Sequence, residues 1–153
     1  MIEPPQITQT SEQLTAFIHL VIPKDQIQEV MGPGIQELMA VVSAQGGPWF
    51  THHLRMDPGI FDFEISLPVP APISPSGRVQ PGELPAARMV MTIYHGGYEG
   101  LASAWGEFDT WITAQGHTSG PDLWEFYVAG PESNPDPATF RTELRRPLSH
   151  SGL

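Results

Sequence analysis

The residues whose side chains are best suited to binding or catalysis lie in WEFY at positions 124–127. Side chains alternate between the two faces of a strand, so Trp124, Phe126 and Val128 are predicted on one face, with Glu125 and Tyr127 on the other. We expect the apolar face to lie under a helix. A carboxylate beside a phenol would then face a groove.

Glu125 is the candidate anchor for a ligand. A buried carboxylate is costly unless it is paired, and the cation of a ligand could supply the pair. Tyrosine and tryptophan rings would add cation–π attraction. The structural alternative is an ion pair within the scaffold, for example between Glu125 and Arg88. The pattern leaves both interpretations open.

The stretch WFTHH at positions 49–53 is the counterpart of WEFY in the first half of the chain. Aligning the two tryptophans places Phe50 and His52 opposite the acid and the phenol, so both are candidate ligand-binding residues. A register shifted by one residue would instead bring the Trp, the Thr and the second His to the groove, because a one-residue slip exchanges the faces of a strand.

Other aromatic residues could line the same groove. Tyr94 is predicted at a strand end, Tyr98 opens a helical stripe, and Trp111 flanks that stripe. Trp105 lies on the stripe itself and is predicted to belong to the core.

Glu64 is a candidate second acid, and it belongs to a repeated pattern. FDFEISLPV at 61–69 and FRTELRRPL at 140–148 share Phe, Glu, a branched aliphatic, Pro and a final aliphatic at the same places. Glu64 and Glu143 occupy the fourth place of each. A scaffold role is the favoured interpretation of both.

The repeat extends beyond this pair of sequences. AQG recurs 70 positions apart (114 − 44), the two tryptophans 75 apart (124 − 49), and the FDFE and FRTE stretches 79 apart (140 − 61). Ordered matches of this kind indicate an internal duplication with small loop insertions.

Each copy is predicted to be β-α-β-β, which gives an α+β fold. The prediction is one domain over 1–153, with repeat one at about 14–67, a Pro-rich linker at 68–85 that holds at most one short edge strand, and repeat two at about 86–148. Antiparallel strands, two main helices and a ligand groove at a pseudo-twofold axis follow. Pro33 suits the first turn of the first helix, and Gly116 suits the end of the second. The predicted strands are 14–22, 49–56, 61–67, 87–94, 123–129 and 140–145, and the second helix covers 98–112.

Composition excludes several classes of function. Seventeen acidic and seven basic residues give a net charge of −10, which argues against direct nucleic-acid binding. There is no cysteine, and the histidines lack metal-ligand spacing, so no metal and no cofactor are predicted. No secretory signal and no apolar run of membrane-spanning length is present, so we expect a cytoplasmic protein without membrane contact.

A resemblance to a known family lies in the stretches GRVQPGELPAARMVMTIYHGGYEGL, WITAQG, WEFY and FRTELRRPL of the second half, and in MGPGIQEL and FDFEISLPV of the first half. The chain resembles the GyrI-like small-molecule-binding family over about residues 14–148. In that family the domain senses ligands behind the DNA-binding heads of multidrug-responsive and AraC-type transcription activators. The resemblance implies a stand-alone member with the duplicated fold. It also implies that the family's binding-cleft Glu, which meets cationic aromatic ligands, falls on Glu125.

Three functions follow from this resemblance. The first is sensing or sequestration of a cationic or polycyclic amphipathic small molecule. The second is hydrolysis of strained cyclopropane-bearing genotoxins, as in some stand-alone relatives, with Glu125 as general base and Tyr127 or Tyr94 as the orienting phenol. The third is a protein partner, as for a gyrase inhibitor; a homo-oligomer is also possible.

Overall fold

The computed structural model describes residues 2–42, 47–57, 59–118, 123–130 and 135–148. The chain divides into two compact units. The first unit is Ser11–Ala86, and the second unit combines Met1–Thr10 with Ala87–Leu153.

The first unit contains four antiparallel strands and one helix. Its elements are β2 (Gln13–Pro23), α1 (Ile27–Val41), β3 (Phe50–Asp57), β4 (Ile60–Pro68) and β5 (Gln80–Leu84). The strand order is β3-β4-β2-β5. The core lies between the helix and this sheet and includes Ile18, Leu38 and Ile65, which are fully buried. Strand β5 occupies the segment predicted as a linker and is the short edge strand allowed for there.

The second unit repeats this plan. Its elements are β1 (Gln6–Gln9), β6 (Arg88–His95), α2 (Leu101–Ala114), β7 (Leu123–Ala129) and β8 (Arg141–Pro147). Its strand order is β7-β8-β6-β1, all antiparallel. The core cluster beneath its helix includes Val90, Phe108, Ile112 and Leu144. Strand β1 was not predicted from the sequence.

The two units share their internal topology. Each has a β-α-β-β series with one further strand on the edge beside its first strand. Each also has an irregularity at a corresponding point, between His53 and Arg55 in β3 and between Tyr127 and Ala129 in β7. The predicted α+β class is confirmed. That the units arose by duplication and superpose by rotation stays a prediction.

The position of Pro33 corrects one prediction. It was expected in the first turn of the first helix, but α1 is continuous from Ile27 and holds Pro33 in its interior. Proline removes a backbone donor and costs about 3 kcal/mol inside a helix. Side chains such as Val30, Met31 and Ile35 pack against the core from this helix. Their burial outweighs the cost, since tertiary packing provides most helix stability in proteins.

The end of α2 agrees with the prediction for Gly116. A 3-10 turn at Tyr98–Gly100 precedes the helix, and Gly116 follows it with φ of +78°. The backbone N–H of His117 donates to the carbonyl of Ile112 at 3.1 Å, and that of Gly116 donates to Thr113 at 3.0 Å. These two bonds form a Schellman motif, which satisfies the last carbonyls of a helix.

Neither helix in the described parts of the chain is both long and apolar enough to span a bilayer. The first AQG of the repeat, at 44–46, lies outside the described residues.

Candidate functional site

Glu125 lies in the middle of β7 with 9% of its surface exposed. Both carboxylate oxygens accept a short hydrogen bond from an aromatic side chain. The Tyr127 hydroxyl donates to Oε1 at 2.6 Å, and the Trp105 indole Nε1–H donates to Oε2 at 2.6 Å. The strand therefore supplies the acid and the phenol, and α2 supplies the indole.

Strand pairing shows which face carries this cluster. Glu125 lies opposite Leu144, and Leu144 belongs to the core cluster that α2 covers. Glu125 and Tyr127 therefore lie on the helix side of the sheet. The prediction that Trp124 and Phe126 would lie under the helix, with the acid facing away, was wrong. A polar pair can lie there because Trp105 of α2 provides a donor.

The other face of β7 carries a different set of contacts. The guanidinium carbon of Arg145 lies 3.9 Å from the centroid of the Phe126 ring, and Arg145 Nε donates to Glu143 Oε2 at 2.6 Å. This ion pair supports the scaffold interpretation of Glu143. Val128, predicted with the apolar side chains, is 53% exposed, because the irregularity after Tyr127 interrupts the alternation.

A cavity of about 130 Å³ also lies within the second unit. Its lining does not include Glu125, and the carboxylate of its Glu143 is the one held by Arg145. The cavity is lined by Glu3, Pro4, Gln6, Thr8, Met91, Thr92, Ile93 and Glu143.

Tyr98 connects the cluster to the surface. Its ring meets the edge of the Tyr127 ring at a centroid distance of 5.9 Å and packs against Phe140 at 5.2 Å. It is 37% exposed, whereas Tyr127 is buried. The predicted candidates Tyr98, Tyr127 and Glu125 thus form one contiguous group.

Tyr94 does not join this group. It is 6% exposed, and its hydroxyl donates to the carbonyl of Gly97 at 2.8 Å. A Cβ at Gly100 would collide with that hydroxyl, and Gly96 has φ of +139°, so the tight turn is built around the phenol. Tyr94 therefore holds the turn that leads into α2, rather than lining the site around Glu125.

Trp111 also lies apart from the group. It is partly buried and packs against the core cluster beneath α2, as a side chain that covers the sheet. The contacts described for Glu125 do not include it.

The candidates Phe50, His52 and Glu64 belong to the first unit. Phe50 is 2% exposed, and His52 lies directly opposite Glu64 in the sheet. His52 Nδ1 and Glu64 Oε1 are 3.3 Å apart, so the structure brings these two candidates together.

The alignment of Phe50 and His52 with the acid and the phenol was wrong. Thr51 lies opposite Ile65 in the sheet, and Ile65 holds the same place in its repeat as Leu144, the partner of Glu125. Thr51 is therefore the counterpart of Glu125. By the same pairing, His53 is the counterpart of Tyr127, which is the shifted register.

The charge environment of Glu125 is unusual for a buried acid. Within the described residues, neither Arg88 nor any other cationic side chain forms an ion pair with it. Both of its donors are neutral. No group of three or more His, Asp or Glu side chains in the described chain is arranged to hold a metal ion.

Trp105 is the site residue that sequence analysis missed. The helical spacing marked it as core, yet a buried indole N–H usually finds a hydrogen-bond partner. A Trp on the apolar stripe of a helix that packs over the WEFY strand is therefore a signal that could have been read.

A family sequence profile, that of the GyrI-like small molecule binding domain, matches residues 4–149. The chain belongs to the GyrI-like family. A domain of this family binds small molecules, which fits a buried, hydrogen-bonded carboxylate among aromatic rings. A comparison with curated proteins gave no match.

Solved structures share the fold. The C-terminal domain of EcmrR superposes with a TM-score of 0.84 at 20% identity, over 95% of this chain and 97% of that domain. In the EcmrR–DNA complex the same likeness spans 57% of the EcmrR chain. SAV2435 bound to tetraphenylphosphonium gives 0.71 at 13% identity over 97% of this chain and 95% of its own. A hydrolase from Listeria innocua gives 0.71 at 14% identity over 95% and 91%.

Proposed function

We propose that this GyrI-like protein binds cationic or polycyclic amphipathic small molecules, with Glu125 as the polar anchor, for sensing or sequestration. The observation that carries the proposal is a carboxylate, 9% exposed, that is hydrogen-bonded but has no ion-pair partner in the described chain. A buried carboxylate is stabilised most by a neighbouring cation. A ligand can bring that cation.

The two hydrogen bonds to Glu125 leave part of the acceptor capacity of the carboxylate unused. A carboxylate offers about four lone-pair positions. The phenol of Tyr127 and the indole of Trp105 use one on each oxygen. They fix the orientation of the carboxylate and leave the remaining positions for a cation or for a donor on the ligand.

The rings around the acid suit the apolar part of the same ligand. Tyr98 is partly exposed and packs edge-on against Tyr127. Trp105 contacts the acid through its indole N–H, and its ring is 5.8 Å from that of Phe108. Aromatic faces attract organic cations through their quadrupoles. The ligand of SAV2435, tetraphenylphosphonium, has this combination of positive charge and aromatic surface.

The test compares a charged and a neutral ligand of similar shape. Glu125→Gln keeps the side-chain volume and removes the charge. It should weaken tetraphenylphosphonium by about 1–3 kcal/mol, the scale of one charge-assisted contact. Neutral triphenylphosphine oxide should bind nearly as before. Titration calorimetry measures both.

Glu107→Gln is the matched control, because Glu107 is an exposed acid on α2. It changes the net charge equally and should leave both affinities within error. Equal losses for the two ligands in Glu125→Gln, or an equal loss of the cation in Glu107→Gln, would contradict the anchor role.

A hydrolase of cyclopropane-bearing genotoxins is the second candidate. The observation that favours it is the 2.6 Å hydrogen bond from Tyr127 to Glu125, because an acid coupled to a phenol can move a proton. Glu125 would act as general base toward a water, and Tyr127 would protonate the product. Both described donors to the acid are neutral, and no second acid contacts it in the described chain, which favours the binder.

Mass spectrometry separates the two candidates. A cyclopropane-containing alkylator incubated with the protein should be returned unchanged by a binder. A gain of one water that disappears in Glu125→Gln and slows in Tyr127→Phe would establish the hydrolase instead.

A further inference from the structure

One arginine side chain shares the face of the sheet that carries Glu125 and forms no ion pair with it in the described chain. Arg146 of β8 is two residues along from Leu144, the strand partner of Glu125, and therefore shares its face of the sheet. Diagonal neighbours of this kind lie about 7–8 Å apart, within reach of a long side chain. The Arg146 guanidinium carbon is 6.0 Å from the centroid of the Trp105 ring, and Trp105 donates to Glu125.

Asp109, a residue of α2, forms an ion pair with the Arg146 guanidinium. Asp109 lies one helical turn after Trp105 (109 − 105 = 4), and its Oδ1 is 3.4 Å from Arg146 Nη1. The hydrogen bond from Nη1 to Oδ2 is 3.5 Å long. Charge-assisted bonds are commonly about 2.7–2.9 Å, so this pair is loose. Arg146 Nε is buried and has no hydrogen-bond partner among the described residues.

The other arginines of β8 cannot take this place without a change of strand register. Arg141 and Arg145 alternate to the face of Glu143, and Arg145 is paired there. Arg146 alone among the three β8 arginines shares the face of Glu125, and Asp109 is the acid that engages it.

We propose that Asp109 is a specificity-determining residue that keeps Glu125 open to cationic ligands by holding Arg146 away from it. The inference rests on the proposed function for its consequence in binding. If Arg146 paired with Glu125, a ligand cation would have to displace an intramolecular cation first. The acid would then no longer favour charged ligands over neutral ones.

The Asp109 side chain is 46% exposed, so solvent reaches part of the carboxylate that engages Arg146. Burial raises the pKa of Asp109, and the charge of Arg146 only partly offsets that effect. An asparagine at this position could not hold an arginine as an ion pair.

The direct test is a crystal structure of Asp109→Asn without ligand. We expect an Arg146 guanidinium nitrogen within ion-pair distance of a Glu125 oxygen. Arg146 still directed at residue 109, or turned to solvent, would overturn the proposal. This readout does not require that any ligand bind, so it stands even if the proposed function fails.

The binding test is a cycle of three variants with tetraphenylphosphonium as the probe. Asp109→Asn should lower the affinity for tetraphenylphosphonium at least about tenfold, the scale of one charge-assisted contact. Arg146→Met alone should change affinity by less than about threefold, since Arg146 does not engage Glu125 while Asp109 is present. Adding Arg146→Met to Asp109→Asn should restore affinity to within about threefold of wild type, because the cycle isolates coupling between the two sites.

A general effect of net charge gives a different result. In that case Arg146→Met alone would raise the affinity for tetraphenylphosphonium by the same factor by which Asp109→Asn lowers it. The effects of the two substitutions on binding free energy would then add in the double variant. This result would show that the proposal is wrong. Glu107→Gln controls for charge on α2. If Asp109→Asn fails to fold, Asp109→Ser enters both tests in its place.

Discussion

The pairs Glu125–Tyr127 and Thr51–His53 occupy the same place in the two units. Each pair precedes the irregularity in its strand. Each is joined by a hydrogen bond across one intervening residue, at 2.6 Å between the acid and the phenol and at 3.2 Å between Thr51 Oγ1 and His53 Nε2. The backbone position therefore accepts a polar pair in both units.

The surroundings of the two pairs differ. His53 stacks on Phe63 with centroids 5.3 Å apart and meets the edge of Phe61 at 5.4 Å. The offset of 70 that relates the AQG repeats places Ile35 in α1 where α2 has Trp105, so that position offers an aliphatic side chain in place of an N–H donor. The comparison teaches that the acid lies in the unit whose helix supplies a donor to it.

Placing an acid at the corresponding position of the first unit should cause the largest loss of stability. Thr51 is 1% exposed, and Thr51→Glu would bury a carboxylate opposite Ile65 without the indole that Glu125 has. We expect the free energy of unfolding to fall by about 3 kcal/mol or more. Urea denaturation measures it, and Thr51→Val, which replaces the hydroxyl with a methyl group and adds no charge, should cost clearly less. A Glu variant as stable as the Val variant would remove the distinction between the units.

Removing the indole N–H that donates to Glu125 in the second unit should cause an intermediate loss of stability. Trp105→Phe deprives Glu125 Oε2 of its hydrogen bond, and a buried charged group left short of a partner costs about 1–3 kcal/mol. Trp111→Phe makes the same change in side chain on the same helix without touching Glu125. Thermal or urea unfolding should show a smaller loss for Trp111→Phe; equal losses would mean that only ring size matters.

The smallest effect concerns the ion pairs Asp109–Arg146 on α2 and Glu37–Arg78 on α1. Their contributions to the free energy of unfolding should change with pH in opposite directions. Burial raises the pKa of Asp109, so its contribution to stability is largest below 3.8, the ordinary value, and is lost as pH rises through the raised pKa. The hydrogen bonds from Arg78 lower the pKa of Glu37 on α1, so that contribution is present above 4.5 and is lost as pH falls.

Urea denaturation of Asp109→Asn and Glu37→Gln beside wild type across this pH range checks the prediction. The wild type should gain stability relative to Asp109→Asn as pH falls, and it should lose stability relative to Glu37→Gln. Slopes of the same sign would show that the two pairs have equivalent environments.

The sequence predicted most strands to within one or two residues, because alternation and turn residues are local signals. It placed Gly116 correctly for the same reason. It placed Pro33 wrongly because the energy that keeps α1 continuous comes from packing on the sheet. Strand β1 was missed because QITQ has little apolar character, and its partner β6 is far along the chain.

The candidate site was predicted in its residue types and not in its orientation. Glu125 and Tyr127 were paired correctly, since two residues on one side of a strand are neighbours. Their face was misassigned because a carboxylate under a helix looks unfavourable until the indole of Trp105 is placed beside it. That contact depends on how α2 packs over β7, so the stripe that carries Trp105 indicates a buried indole but not the acid that it meets.

The pairing of β1 with β6 has a consequence for the order of folding. Gln6 lies opposite Met91, 85 residues later (91 − 6), while the whole first unit lies between them in the sequence. The first unit is one continuous segment and can close on its own contacts as synthesis proceeds. The second unit must wait until β6 to β8 exist, with its first strand held in reserve. Since distant pairings form slowly, its sheet should complete last.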